Sequence, residues 1–93
     1  MKVSFVDFNL YQIYTGMYKG KLPFSKEVEG KFIDKVNIFV ASGNINDLSM
    51  LRSLNIEKYK KHWSARVDLK YRIEFEFEKP DHIIISKISK HYE

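Results

Sequence analysis

The sequence predicts an α+β domain: an N-terminal strand and two helices packed on one face of a small, mainly antiparallel sheet. Three observations predict it. Apolar residues recur at helical spacing between Leu10 and Val40. From His62 onward the period drops to two. Glycines and prolines mark the expected turns: Gly20 and Pro23 between the helices, Gly43 after the second helix, and Pro80 before the last strand. Helices that precede a run of antiparallel strands gather on one side of the sheet those strands form.

Residues 2–6 read as a short strand, with Val3 and Phe5 alternating with Lys2 and Ser4. Asp7 caps the helix that follows, whose apolar face is Leu10, Ile13, Tyr14 and Met17. Gly16 weakens that helix near its end and Gly20 is placed to close it, before a turn over residues 19–23. Ser25 caps the second helix, and Glu27 and Glu29 put negative charge in its first turn, where the helix dipole favours it. Val28, Phe32, Val36, Phe39 and Val40 form its buried stripe, and Gly43 supplies the stop. The interior Gly30 costs about 1 kcal/mol relative to alanine, a cost that close packing would explain. Residues 44–59 are ambiguous. Leu48, Leu51 and Leu54 recur every third position, which suits one or two helical turns.

Two strands follow. Trp63, Ala65, Val67 and Leu69 alternate with His62, Ser64, Arg66 and Asp68; Tyr71, Ile73, Phe75 and Phe77 alternate with Arg72, Glu74, Glu76 and Glu78. Each strand therefore has one apolar and one polar face. Opposed residues share a face, so the connecting loop must hold an odd number of residues. A loop of Leu69, Lys70 and Tyr71 would pair Asp68 with Arg72 and Arg66 with Glu74. Residues 79–81 turn the chain again. Residues 82–92 make a last strand, with Ile84, Ile88 and Tyr92 on one face and Lys87, Ser89 and His91 on the other.

Ninety-three residues make one domain, residues 1–93, with a modest core. Hydrophobic residues at 44% and charged residues at 30% exclude a disordered chain. Cysteine is absent, which excludes disulfides and thiolate metal sites and fits a reducing cytoplasm. The longest apolar runs fall far short of a membrane span, and no secretory leader is read at Met1. His62, His82 and His91 match no metal-ligand spacing, so neither metal nor cofactor is expected; His62 and His82 read as surface residues beside turns.

Charge concentrates in one place. Between Lys58 and Arg72 lie Lys58, Lys60, Lys61, Arg66, Lys70 and Arg72, opposed by Asp68 alone and interleaved with Tyr59, Trp63 and Tyr71. Cations alternating with aromatics suit phosphates and unstacked bases. A lysine-protected strand edge has the same composition. Arg66 and Arg72 are likewise open to two readings: surface ion pairs with Glu74 and Asp68, or a guanidinium fork for a phosphate.

Three segments together resemble the RelE/ParE superfamily of bacterial toxins, its YoeB and HigB branches above all: Trp63-Ser64-Ala65-Arg66-Val67, the strand of Tyr71-Arg72-Ile73-Glu74-Phe75-Glu76-Phe77, and Lys90-His91-Tyr92. The match is specific over residues 63–92 and loose over the rest. The resemblance implies a toxin of a type II toxin–antitoxin pair, a metal-independent endoribonuclease that cuts mRNA in the ribosomal A site. The message's 2′-hydroxyl attacks the adjacent phosphate and leaves a 2′,3′-cyclic phosphate. Carried over by position, Arg72 binds the scissile phosphate, Arg66 supports it, His91 transfers a proton to the leaving oxygen, and Tyr92 orients the base or the 2′-hydroxyl. Lys58, Lys60, Lys61, Trp63, Lys70 and Lys87 would bind RNA. The glutamate that serves as base in the YoeB branch has no secure counterpart; Asp47 and Glu57 are the available carboxylates. Implied partners are a cognate antitoxin, the ribosome and mRNA, with operator DNA reached only through the antitoxin, and no membrane. On this reading Arg72→Ala leaves the fold intact and abolishes toxicity. The alternative, also within the superfamily, is a non-catalytic ParE-like toxin that inhibits DNA gyrase by contact, or an inactive relative.

Overall fold

In a computed structural model, which describes residues 1–90, the last strand lies inside the sheet rather than at its edge. The strands are β1 (Lys2–Phe5), β2 (Glu57–Tyr59), β3 (His62–Arg66), β4 (Tyr71–Lys79) and β5 (His82–Lys90), and their spatial order is β1-β5-β4-β3-β2. β1 runs parallel to β5; every other pairing is antiparallel. The chain is therefore α+β with a small, mainly antiparallel sheet, as the sequence predicts. The strand β2 emerges from the ambiguous segment.

The helices α1 (Phe8–Thr15), α2 (Lys26–Ala41) and α3 (Ile45–Ser49) cover one face. Phe32, Val36 and Phe39 of α2 are fully buried against Ala65, Ile73, Phe75, Ile83 and Ile85 of the sheet, and the Phe39 and Phe75 rings lie 5.2 Å apart. Burying a side chain of this size contributes about 2–3 kcal/mol. Among the described residues, no helix is long and apolar enough to cross a membrane.

The helix boundaries follow local chemistry, with two corrections. Asp7 and Ser25 cap α1 and α2 as expected, accepting from the amides of Asn9 at 2.8 Å and Val28 at 3.2 Å. But α1 is closed by Gly16, not Gly20: Gly16 sits at φ 78° and its amide donates to the Ile13 carbonyl. Only glycine adopts that conformation without cost. Met17 then falls outside the helix and is 65% exposed. The helix α2 ends at Ala41 and is capped by Ser42, one residue before Gly43; the Ser42 hydroxyl donates to the Ile38 carbonyl at 2.8 Å. Gly30 is exposed, and a Cβ there would meet nothing within 4 Å, so close packing does not explain it. Leu48 and Leu54 are buried but Leu51 is not, because it precedes the single 3₁₀ turn of Arg52–Leu54 instead of lying on a continuous helix.

The β3–β4 register differs from the expected one by two residues. Arg66 faces Arg72, and Ser64 faces Glu74. Asp68 is withdrawn from the ladder because its carboxylate accepts the amides of Lys70 and Tyr71, each at 2.8 Å. That side-chain turn lengthens the loop while keeping its parity odd, so the assignment of faces survives. In β5 the faces are corrected. The register passes from Phe75↔Ile85 to Glu74↔Lys87, leaving Ser86 as an extra residue. Ile83 and Ile85 point into the core on one side of this bulge and Ile88 on the other, so Ile84 and Ile88 do not share a face.

Candidate functional site

The face of the sheet away from the helices carries the candidate site. Strand alternation and register place its side chains in rows. One row holds Arg66, Arg72 and Ser89; the next holds Glu57, Ser64, Glu74 and Lys87. Beyond them lie Tyr59 and His62, then Ser4 paired with Ile84 at the β1 side.

Arg66 and Arg72 are therefore brought together, but in different states. Arg72 is 8% exposed. Its Nε donates to Ser64 Oγ at 2.9 Å, and its Nη2 to the Asn55 carbonyl at 2.6 Å and the Ser64 carbonyl at 3.3 Å. Glu57 Oε2 lies 3.8 Å from the same Nη2. Nη1 keeps its donors unused among the described residues. Asn55 presents its carbonyl because it adopts the left-handed region at φ 43°, ending the 3₁₀ turn. Arg66 is exposed and makes no hydrogen bond or ion pair among the described residues.

Of the two carboxylates left open by the sequence, the fold brings only Glu57 to this face. Asp47 belongs to the first turn of α3, where its carboxylate accepts the Gly43 amide at 3.1 Å. His91 and Tyr92 lie outside the described residues.

Glu74 and His62 form a contact that reading the sequence missed. His62 Nε2 lies 2.5 Å from Glu74 Oε1, and Lys87 Nζ lies 3.9 Å from Glu74 Oε2. Burial alone would raise the Glu74 carboxyl, but the Ser89 hydroxyl, the His62 imidazole and the Lys87 charge outweigh it and hold the group below its usual range. The signal lay in the alternation, which put both residues on the polar face. The expected register hid it by setting Arg66, not Ser64, opposite Glu74. His82 is also more than a surface residue: it bridges strands, with Nε2 at 2.8 Å from Ser4 Oγ and Nδ1 at 3.0 Å from Glu78 Oε2.

The expected RNA-binding residues are divided between the two faces. Lys58, Lys60, Lys61 and Trp63 line an open groove of about 500 Å³ with Phe77 and Lys79. Trp63 points to the helix side, packed edge-on against Phe77 at 5.4 Å, with Lys58 Nζ 4.9 Å from its ring centre. Lys70 lies in a different groove with Glu27, Lys31 and Lys90. Lys87 joins the arginine face, and Lys60 and Lys61, at the β2–β3 turn, also border it beside Tyr59 and His62.

No protein-family model matches the sequence, and no curated protein matches it. Solved structures do match the fold. The YoeB/ParE toxin from Agrobacterium tumefaciens superposes with a TM-score of 0.63 at 13% identity, over 99% of this chain and 100% of that one. A chain of the YoeB-YefM complex from Staphylococcus aureus superposes with a TM-score of 0.59 at 18% identity, over 99% of this chain and 98% of that one. The protein has the fold of the YoeB/ParE toxins across its whole described length.

Proposed function

We propose that the protein is the toxin of a type II toxin–antitoxin system and cleaves mRNA on the ribosome, without a metal, by attack of the 2′-hydroxyl on the neighbouring phosphate. One observation carries this reading: the open face of a toxin-type sheet gathers Arg66, Arg72 Nη1 and Glu57 within adjoining rows. Two guanidiniums offer a forked grip on a phosphate whose negative charge grows in the transition state. Of the two carboxylates available before the Trp63 strand, Glu57 is the one beside Arg72, where it orients the guanidinium. His91 and Tyr92 retain the roles of proton donor and orienting hydroxyl that the resemblance gives them. Lys60, Lys61 and Lys87 hold flanking phosphates, with Lys58 and Trp63 on the adjoining groove wall; Lys70 lies further away and contributes general attraction.

The partner is a cognate antitoxin, in keeping with the Staphylococcus aureus neighbour, which is a YoeB-YefM complex. An acidic segment laid over the arginine face would occupy the phosphate positions and silence the site. The ribosomal A site is the place of action and the cytoplasm the compartment.

The test is induced expression followed by mapping of transcript ends. Messages cut within translated regions, with 5′-hydroxyl ends downstream, support the reading. DNA damage with intact messages would instead favour the gyrase-inhibiting alternative, in which these same arginines contact protein.

A further inference from the structure

The groove beside the β2–β3 turn holds about 410 Å³ and is lined by Tyr59, Lys60, Lys61, His62 and Glu76. His62 forms part of its wall, with 40% of its side chain exposed, and Glu74 stands behind it with 18% exposed. An ionised carboxylate only accepts, so the 2.5 Å contact assigns the ring proton of neutral His62 to Nε2. Nδ1 then carries the lone pair and has no partner among the described residues. A carboxylate fixing the tautomer of an imidazole that lines a groove, with its other nitrogen unengaged among the described residues, is the arrangement of a positioned base.

Resting on the ribonuclease reading, we propose that His62 accepts the 2′-hydroxyl proton of the RNA, with Glu74 as its positioning residue, in preference to Glu57. Two things favour His62. Glu57 already faces the Arg72 guanidinium at 3.8 Å, so its charge is engaged by the group that grips the phosphate. And His62 stands two residues along β3 from Ser64, the anchor of Arg72, a separation of about 6.6 Å along the strand. In the proposed pose, a phosphate held by Arg72 Nη1 and Arg66 has its vicinal 2′-hydroxyl turned towards His62, with the adjacent phosphate on Lys60 and Lys61.

The step balances within the site. The 2′-hydroxyl proton passes to His62 Nδ1, the 2′-oxygen bonds to phosphorus, and the bond from phosphorus to the 5′-oxygen breaks. That oxygen takes a proton from the acid and leaves as a hydroxyl, with the 2′,3′-cyclic phosphate left behind. The imidazolium so formed is stabilised by Glu74. The charged and titratable groups facing His62 are Glu74 and Glu76 from β4, Tyr59 from β2, and Lys60 and Lys61 from the turn, with Lys87 of β5 beyond Glu74.

The experiment is single-turnover cleavage of ribosome-bound mRNA from about pH 5 to about pH 9, where histidines titrate. Wild type loses rate on the acid side as the base protonates. His62→Gln lowers the rate about 100-fold or more and abolishes that acid limb, the scale set by loss of a general base. Glu74→Gln retains the limb but displaces it and lowers the rate about tenfold, with message binding unchanged. Glu57→Gln retains the limb in place. If His62→Gln, shown folded by its circular dichroism, keeps both the limb and a rate within about threefold of wild type, the assignment is overturned while the ribonuclease reading stands. Transfer of the lost limb to Glu57→Gln overturns it as well. Wild-type protein that leaves the message intact overturns both.

Discussion

Arg66 and Arg72 face each other across two strands, on the same side of one sheet, yet they inhabit opposite environments. Arg72 is nearly sealed, tied to Ser64 and Asn55; Arg66 stands in solvent without a partner among the described residues. The difference comes from their neighbours. Arg72 sits in the interior strand β4, where the chain over residues 55–57 passes across its side chain. Arg66 is the last residue of β3, at the end where β2 no longer covers it. The sealed guanidinium has a fixed direction and one nitrogen without a partner among the described residues; the open one has reach. Under the proposed ribonuclease function, a site that must grip a flexible phosphate chain gains from both, since the fixed cation sets position and the exposed one closes on the ligand.

The sharpest way to break this comparison is Arg72→Ala. It removes the donor from the Asn55 carbonyl and from Ser64, and leaves those acceptors under a collapsed segment. The fold is expected to lose about 2–4 kcal/mol in chemical denaturation, together with cleavage activity. This corrects the expectation from sequence that the substitution spares the fold: burial of Arg72 was invisible in a pattern that marks it simply as polar. Arg72→Lys keeps a charge but cannot span Ser64 and Asn55 together, and should recover less than half of the loss in the same measurement.

Arg66→Ala should separate function from stability. Stability stays within about 0.5 kcal/mol of wild type, because an exposed side chain without partners among the described residues carries little folding energy. Cleavage falls about 100- to 1,000-fold if the guanidinium meets the phosphate in the transition state. A stability loss matching that of Arg72→Ala would erase the distinction between the two arginines.

How much of this was legible beforehand follows the range of each interaction. The caps Asp7 and Ser25, the α2 stripe and the two-faced strands rest on contacts a few residues apart, and periodicity displays them. The toxin fold was legible through the segment around Trp63 and Arg72. What escaped were features set by single residues acting on the ladder. The Asp68 carboxylate lengthened one loop and moved the β3–β4 register by two residues, which is why Glu74 was matched with Arg66 and the His62 contact was missed. The bulge at Ser86 reversed the alternation of β5, which is why Ile84 was grouped with Ile88. Neither changes the hydrophobic pattern before the fault, so neither leaves a periodic trace. Glu57 reached the site through a three-residue strand too short to show a period at all.

The neighbouring row gives a smaller effect, readable by pH. The folded Glu74 carboxyl lies below its usual value of 4.5, so the ionised group favours the folded state above that pH. This contribution disappears as the pH falls through the lowered value, when the group protonates in the folded protein too. Denaturation of wild type should therefore lose stability below about pH 4.5 that Glu74→Gln never had, and the two profiles should converge in acid. Parallel profiles would mean that His62, Ser89 and Lys87 do not hold the carboxylate as the geometry indicates.

The finest test acts on the backbone that seals Arg72. Asn55 at φ 43° turns its carbonyl onto Nη2, a conformation that costs an ordinary residue about 1–2 kcal/mol and asparagine or glycine much less. Asn55→Gly should thus fold within a few tenths of a kcal/mol of wild type and keep activity. Asn55→Ala should lose about 1 kcal/mol, since its side chain resists the same angle. If cleavage by Asn55→Ala also drops at a temperature where the protein remains folded, the loss reports a displaced Arg72 rather than a weakened core. Arg66, which takes nothing from residue 55, would be expected to retain its own contribution in an Asn55→Ala background. Additivity of Arg66→Ala with Asn55→Ala would show that the two guanidiniums are held independently.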